Sequence, residues 1–281
     1  MKTRSLGPWK VYLVGLGVMA VDEYGPVPEK KAIELFHYAC EQGITLFDTA
    51  DVYGNGRNEE LLGKAFSVKE QEKILIGTKA GCTRPGGVDW DVDGRPEHIK
   101  KAVQDSLKRL GIERIKLYQL HAPDARVPFE DTIRVFKELH GKGLFEHFGL
   151  CNVSLDQLKA AQKIIPVVSV QNHFSVQHKK DEGELLPYLT KQGIAFLPYF
   201  PLGGNFGDAG SPKLRNDPRL QEIAKKLKIS TSQLLLTWIL NKWPTAIPIP
   251  GTTSKEHLLE NIKVAEIELP KEVVKKMDGM Y

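Results

Sequence analysis

Gly43-Ile44-Thr45-Leu46-Phe47-Asp48-Thr49-Ala50-Asp51-Val52-Tyr53-Gly54 is the stretch on which the reading of the fold turns. Its apolar run, Ile44–Phe47, has the length and side chains of a strand buried on both faces. Just before it, Ala32, Leu35, Phe36 and Ala39 fall at i, i+3, i+4 and i+7, the apolar stripe of a helix packed on one side. Gly43 marks the end of that helix. After the strand come a loop carrying carboxylates and a phenol, and then a second helical pattern over Glu59–Phe66.

The same unit recurs in both directions along the chain. Strands are expected at Tyr12–Leu16, Ile74–Thr78, Ile115–Leu120, His147–Leu150, Val167–Gln171, Ile194–Leu197 and Ala246–Ile249. Helices are expected at Glu29–Gln42, Pro96–Leu110, Phe129–His140, Leu155–Ile164, Glu184–Lys191, Thr231–Leu240 and Lys255–Ile262, with Gly111, Gly141 and Gly193 as further stops. Strict alternation predicts an α/β fold with a parallel sheet, and eight strand–helix pairs are the number that closes a (β/α)8 TIM barrel. Two additional helices, near Arg219–Lys228 and Lys271–Asp278, stand outside the alternation. A doubly wound open sheet is the alternative. It needs fewer strands or an added domain, and no linker or break in composition supports one, so residues 1–281 read as a single domain.

Composition narrows the partners. Lys and Arg exceed Asp and Glu by 39 to 35, a net charge of +4, which is too little to argue for nucleic acid and fits a binder of small anionic molecules. Cys40, Cys82 and Cys151 are widely spaced with no CxxC, so neither a disulfide framework nor a metal site is indicated, and reduced cytoplasmic thiols are expected. The start of the chain leads into no apolar signal segment, and no run approaches the roughly 20 residues of a membrane span.

In a barrel, chemistry gathers at the carboxyl ends of the strands. Asp48 follows the second expected strand, Tyr53 lies in the loop after it, Lys79 ends the third strand and His121 the fourth. Each has a structural reading: a helix cap, a packed ring, a solvated charge, a satisfied imidazole. On one rim, however, the four suit the reduction of a carbonyl. Tyr53 would give a proton to the oxygen, Lys79 would lower the phenol's pKa, Asp48 would hold Lys79, and His121, as neutral imidazole, would donate to the oxygen.

The stretch from Gly43 to Gly54, followed by Asn58-Glu59-Glu60-Leu61-Leu62-Gly63, resembles the aldo-keto reductase signature. The resemblance continues through Thr78-Lys79, Leu117–His121, Gly149–Asn152, Val170–Asn172 and Pro201–Gly204, and ends with 249–261. It implies an NADPH-dependent barrel enzyme reducing aldehydes or ketones. It places Asn152 and Gln171 on the nicotinamide carboxamide and Tyr199 on its ring, with Pro201, Leu202 and Gly203 opening a glycine-rich loop, through Gly204, Gly207 and Gly210, that closes over the pyrophosphate. It sets Gly251, Thr252, Ser254 and His257 around the 2′-phosphate and Glu260 and Asn261 near adenine. Gly251 and His257 stand where many members carry lysine and arginine, which implies a weaker NADPH preference, and Cys151 and Phe200 stand where serine is usual. The phrasing around Phe200–Gly204 and Ile249–Thr252 is similar to a bacterial branch that includes pyridoxal reductases, so pyridoxal or another small aromatic aldehyde is the substrate expected, with Tyr24 and Trp90 as pocket residues and a monomer or weak oligomer as the working form. A Schiff-base lyase using Lys79 and a non-catalytic cofactor-sensing module are the alternatives. Gly15-Leu16-Gly17-Val18-Met19-Ala20 fits a dinucleotide fingerprint, but the loop-forming residues after it argue for a first strand and its rim instead.

Overall fold

The computed structural model describes residues 2–23, 25, 27–85, 89–204 and 213–281. Seven parallel strands form one curled sheet in the order Ala195–Phe196, Val167–Gln171, Phe145–Cys151, Ile115–Leu120, Leu75–Ala80, Leu46–Asp48 and Leu16–Gly17. The expected eighth strand, Ala246–Ile249, does not form a ladder of its own, yet it closes the ring. Ile247 donates its N–H to Phe196 and Ile249 to Pro198, while Gly15 and Gly17 donate to the carbonyls of Pro248 and Pro250. Pro248 and Pro250 cannot donate in return, so this segment meets the first strand through those bonds and an isolated parallel bridge between Gly17 and Gly251 rather than a full ladder. The fold is therefore the (β/α)8 barrel, with a proline-interrupted eighth stave.

The N-terminal strand is the second departure. Thr3–Leu6 and Trp9–Tyr12 pair as an antiparallel hairpin around Gly7-Pro8, and only Leu16–Gly17 enters the barrel. Leu6, Val11 and Trp9 cap the barrel interior, packing with Leu46, Leu75, Leu117, Leu197, Ile247 and Ile249. Outside the sheet, the helix Glu29–Glu41 buries Ala32, Leu35, Phe36 and Ala39. The helix Pro96–Leu110 starts on its proline and stops at Gly111, whose φ of 69° only glycine adopts cheaply. Gly141 lies inside the helix Phe129–Gly141, and Gly143 takes the left-handed turn in its place. The two additional helices are Pro218–Leu227 and Lys271–Asp278. The fingerprint-like segment yields a two-residue strand and one short helical turn, Ala20–Glu23.

Strand alternation then sets what faces inward. Leu46 and Asp48, Leu75 with Gly77 and Lys79, Leu117 with Gln119 and His121, and Gly149 with Cys151 share the inner face two residues apart. Gly77 and Gly149 leave room for Gln119, since a Cβ at residue 149 would lie 2.4 Å from Ser169 Oγ and 2.9 Å from Gln119 Cγ. No helix among the described residues is long and apolar enough to cross a membrane.

Arg4 fastens the hairpin to the far end of the chain. Its guanidinium donates to the carbonyls of Leu240, Trp243 and Ala246. Arg4→Met leaves these acceptors without their donor and should cost about 2–4 kcal/mol, or roughly 5–10 °C in Tm. A melting curve superimposable on that of the unaltered protein would refute the fastening.

Candidate active site

The inward carboxyl ends of three adjacent strands meet at Lys79. Its ammonium is wholly buried and donates to Asp48 Oδ2 at 2.7 Å, to the Thr49 carbonyl at 2.7 Å and to Tyr53 Oη at 3.4 Å. All three of its protons have acceptors. Asp48 Oδ1 accepts from Gln171 Nε2 at 2.7 Å, so the carboxylate is shared between a cation and an amide across the barrel. Such pairing is what lets two charges remain at a dry site.

Tyr53 is aimed by the turn that carries it. Gly54, Asn55 and Gly56 all have positive φ, and a Cβ at residue 54 would lie 2.7 Å from the Asp22 carboxyl carbon. Asn58 and Arg57 tie this turn to Asp22. Thr49 donates to Asn58 Oδ1 at 3.0 Å. The phenol's ionisation departs from the sequence expectation. Burial raises its pKa above the usual 10, and Asp48 adds to the rise, against the lowering pull of Lys79. For Lys79, burial opposes the charge, but Asp48 and Tyr53 outweigh it and the ammonium is held above its ordinary value.

His121 lies edge-on to Tyr53, with ring centroids 5.6 Å apart. Burial, reinforced by Lys79, holds its pKa well below 6.5, so the ring is neutral, and its buried Nδ1 has no hydrogen-bond partner. Trp90 stands with its indole centroid 6.0 Å from both Tyr53 and His121.

A cavity of about 150 Å³ opens from these groups. Asp48, Tyr53 and His121 line it together with Asn152, Gln171, Tyr199, Pro201, Leu202, Gly203 and Gly251. Asn152, at φ 59°, donates to the His121 carbonyl at 2.9 Å and accepts from Tyr199 Oη at 2.7 Å. Tyr199 in turn stacks on His173. Phe200 adopts φ 50°, and Gly203 and Gly204 follow at 83° and 103°.

Other expected residues fall elsewhere. Thr252, Ser254, His257, Glu260 and Asn261 do not line this cavity, and the expected pocket residue Trp90 borders Tyr53 and His121 without being part of its lining. Thr252 Oγ1 accepts from the Ser254 N–H, and Ser254 Oγ caps the helix Lys255–Ile262. Asn261 is buried and His257 exposed. Lys255 lies over the Tyr38 ring, 5.0 Å from its centroid. Tyr24, Gly207 and Gly210 lie outside the described residues. Arg215 lines the cavity and sequence reasoning missed it, because a lone arginine in an aperiodic loop carries no positional signal.

The donor set fits a nicotinamide dinucleotide. An amide pair and a flat phenol ring line the same cavity as the acid–base groups, together with glycine backbone and a guanidinium.

The Aldo/keto reductase family profile matches residues 13–281. An uncharacterized oxidoreductase of Schizosaccharomyces pombe is 36% identical over 98% of this chain and 89% of its own. A pyridoxine 4-dehydrogenase of Escherichia coli is 32% identical over 99% and 98%. A thermostable aldo-keto reductase solved with the inhibitor epalrestat superposes with a TM-score of 0.82 at 30% identity, covering 99% of both chains.

The neutral His121 links pH to stability. Its folded pKa lies below the unfolded value of 6.5, so its contribution is complete above that pH and falls as the pH drops, because the unfolded chain takes the proton first. His121→Gln should therefore reduce the loss of urea stability between pH 7.5 and pH 5.5, by up to about 1 kcal/mol. An unchanged loss would show that the ring is not desolvated in solution.

Proposed function

This chain belongs to the aldo/keto reductase family, and from that premise we propose that it reduces small aldehydes or ketones to alcohols with NADPH, using Tyr53 as the proton donor. The observation that carries the residue assignment is the contact of the Tyr53 hydroxyl, at 3.4 Å, with a buried and paired Lys79 ammonium. Bound NADPH supplies the hydride to the carbonyl carbon. Tyr53 holds its proton at neutral pH and yields it only when negative charge develops on the carbonyl oxygen, a far stronger base. The Lys79 ammonium stabilises the phenolate left behind, and Asp48 keeps that ammonium in place. His121 donates Nε2–H to the same oxygen, as a neutral ring with a bare Nδ1 is able to do.

Asn152, Gln171 and Tyr199 are assigned to the nicotinamide, and Gly203, Gly251 and Arg215 to the phosphates. Pyridoxal heads the substrates. The relative named pyridoxine 4-dehydrogenase supports this, because oxidising that alcohol and reducing its aldehyde are one reaction in two directions. The reading takes the protein as one domain working in the cytosol as a monomer or weak oligomer, with Cys40, Cys82 and Cys151 as free thiols. A Schiff-base lyase is disfavoured by Lys79 itself, whose raised pKa keeps it from acting as a nucleophile.

A spectrophotometric panel of NADPH and NADH against pyridoxal, other small aldehydes and simple ketones tests the reading. Tyr53→Phe should lose about a hundredfold or more in kcat; near-normal turnover would reject the donor. Tight NADPH binding with no carbonyl turnover would favour a sensing module. Because His121 titrates well below 6.5 and Tyr53 above 10, kcat/KM should stay level from pH 6.5 to pH 8. An acid limb centred in that window would contradict the neutral imidazole. Arg215→Gln should weaken NADPH binding about tenfold by fluorescence titration, the usual weight of one charge-assisted contact.

A further inference from the structure

Three loops of the barrel mouth converge on one carboxylate that the reduction chemistry does not use. Glu23, at the end of the short turn Ala20–Glu23, accepts the backbone N–H of Gly54 on Oε1 at 3.2 Å. Its other oxygen, Oε2, takes the guanidinium of Arg84. Both side chains are 12% exposed, so the ion pair is largely dry. Arg84 then lies over the face of Trp90, 4.3 Å from the ring centroid. Trp90 in turn meets Tyr53 and His121 edge-on. One carboxylate thus joins the loop after the first strand, the turn carrying the phenol, and the loop bearing the indole.

We infer that Glu23 is a positioning residue for substrate specificity: through Arg84 it fixes Trp90 as a rigid aromatic wall beside the reacting groups, and so favours aldehydes with a planar ring over short aliphatic ones. The inference rests on the carbonyl-reductase reading of this site. A carbonyl oxygen held between Tyr53 and His121 places its substituent within reach of an indole that is about 6 Å from both rings. A fixed aromatic surface rewards a flat partner with stacking area and gives little to a two- or three-carbon chain. Were the indole free to turn, each aromatic substrate would have to order it on binding. The guanidinium over its face restrains it, and Glu23 restrains the guanidinium. The Gly54 bond makes the same carboxylate a reference point for the phenol, so wall and proton donor are placed against one another.

Glu23→Gln separates the two contacts. The amide oxygen still accepts from Gly54, while the amide nitrogen now faces Arg84 and the ion pair is lost. Expected is a rise of about tenfold in KM for benzaldehyde, with KM for propanal within about twofold and kcat for both little changed. Trp90→Leu should show the same selective loss, and Glu23→Gln added to Trp90→Leu should do no further harm, because both act through one wall. Equal losses for both aldehydes, or a fall in kcat alone, would reduce Glu23 to a structural brace and overturn the inference. A second readout needs neither cofactor nor turnover. The emission difference between each protein and its Trp90→Phe counterpart isolates this indole. Glu23→Gln should shift that difference spectrum to the red and increase its quenching by acrylamide. An unchanged difference spectrum overturns the inference even in a protein that reduces nothing. Absence of turnover in the unaltered protein, with the spectral shift present, would instead refute the reductase reading and leave the Glu23–Arg84–Trp90 linkage standing.

Discussion

A lysine ammonium with no solvent exposure cannot stay charged unless its surroundings replace water, and most of this barrel's upper rim is arranged to do so. Asp48 supplies the countercharge, Thr49 a carbonyl, Tyr53 a hydroxyl, and Gln171 holds the carboxylate from the far side of the ring. Asp48, Thr49 and Tyr53 come from one strand end and the turn after it, Lys79 from the adjacent strand and Gln171 from a strand across the ring. The pair therefore depends on strand register: a slip of one residue would turn Lys79 or Asp48 into the helix layer. In that layer the neighbours are mostly leucine, isoleucine and phenylalanine, and its buried carboxylate, Glu59, is already taken by Thr78 and Arg109.

The same burial explains how the reacting groups behave. Desolvation keeps Tyr53 protonated and His121 neutral, while Lys79 stays charged because its countercharge is equally buried. The sequence suggested that an ammonium beside a phenol would make the phenol more acidic. The ammonium does pull that way, but Asp48 offsets part of the pull and the loss of water outweighs the rest. The consequence is a donor that keeps its proton until an oxyanion forms, and an imidazole that offers an N–H without carrying charge.

Around this centre, legibility in the sequence followed the kind of signal each residue gave. Asp48, Lys79 and His121 sit at strand ends, and a strand of period two announces which residues face inward. Tyr53 was readable because it lies in the loop directly after such a strand end. The N-terminal hairpin was missed because Tyr12–Leu16 looks like one apolar run, whereas Gly7-Pro8 turns the chain earlier. The eighth strand was placed correctly but expected as an ordinary ladder; Pro248 and Pro250 remove the donors it would need. The family resemblance set Thr252 and Ser254 near the 2′-phosphate, and here their hydroxyls also serve the local turn and the helix cap. Arg215, and the meeting of Glu23, Arg84 and Trp90, had no sequence signal, since loops far apart in the chain carry no periodicity that relates them.

Alternating apolar runs and amphipathic stripes, read from the chain alone, determined that this is a barrel and that a carboxylate, a phenol, an ammonium and an imidazole share its rim. Those signals are local, set by the repeat of strand and helix. Closure of the ring decided the rest. It brought Gln171 to Asp48 across the interior, set Arg84 over Trp90, and excluded water, which keeps Tyr53 protonated and His121 neutral. Distances across a closed sheet and the dielectric inside it arise only once all the staves are in place.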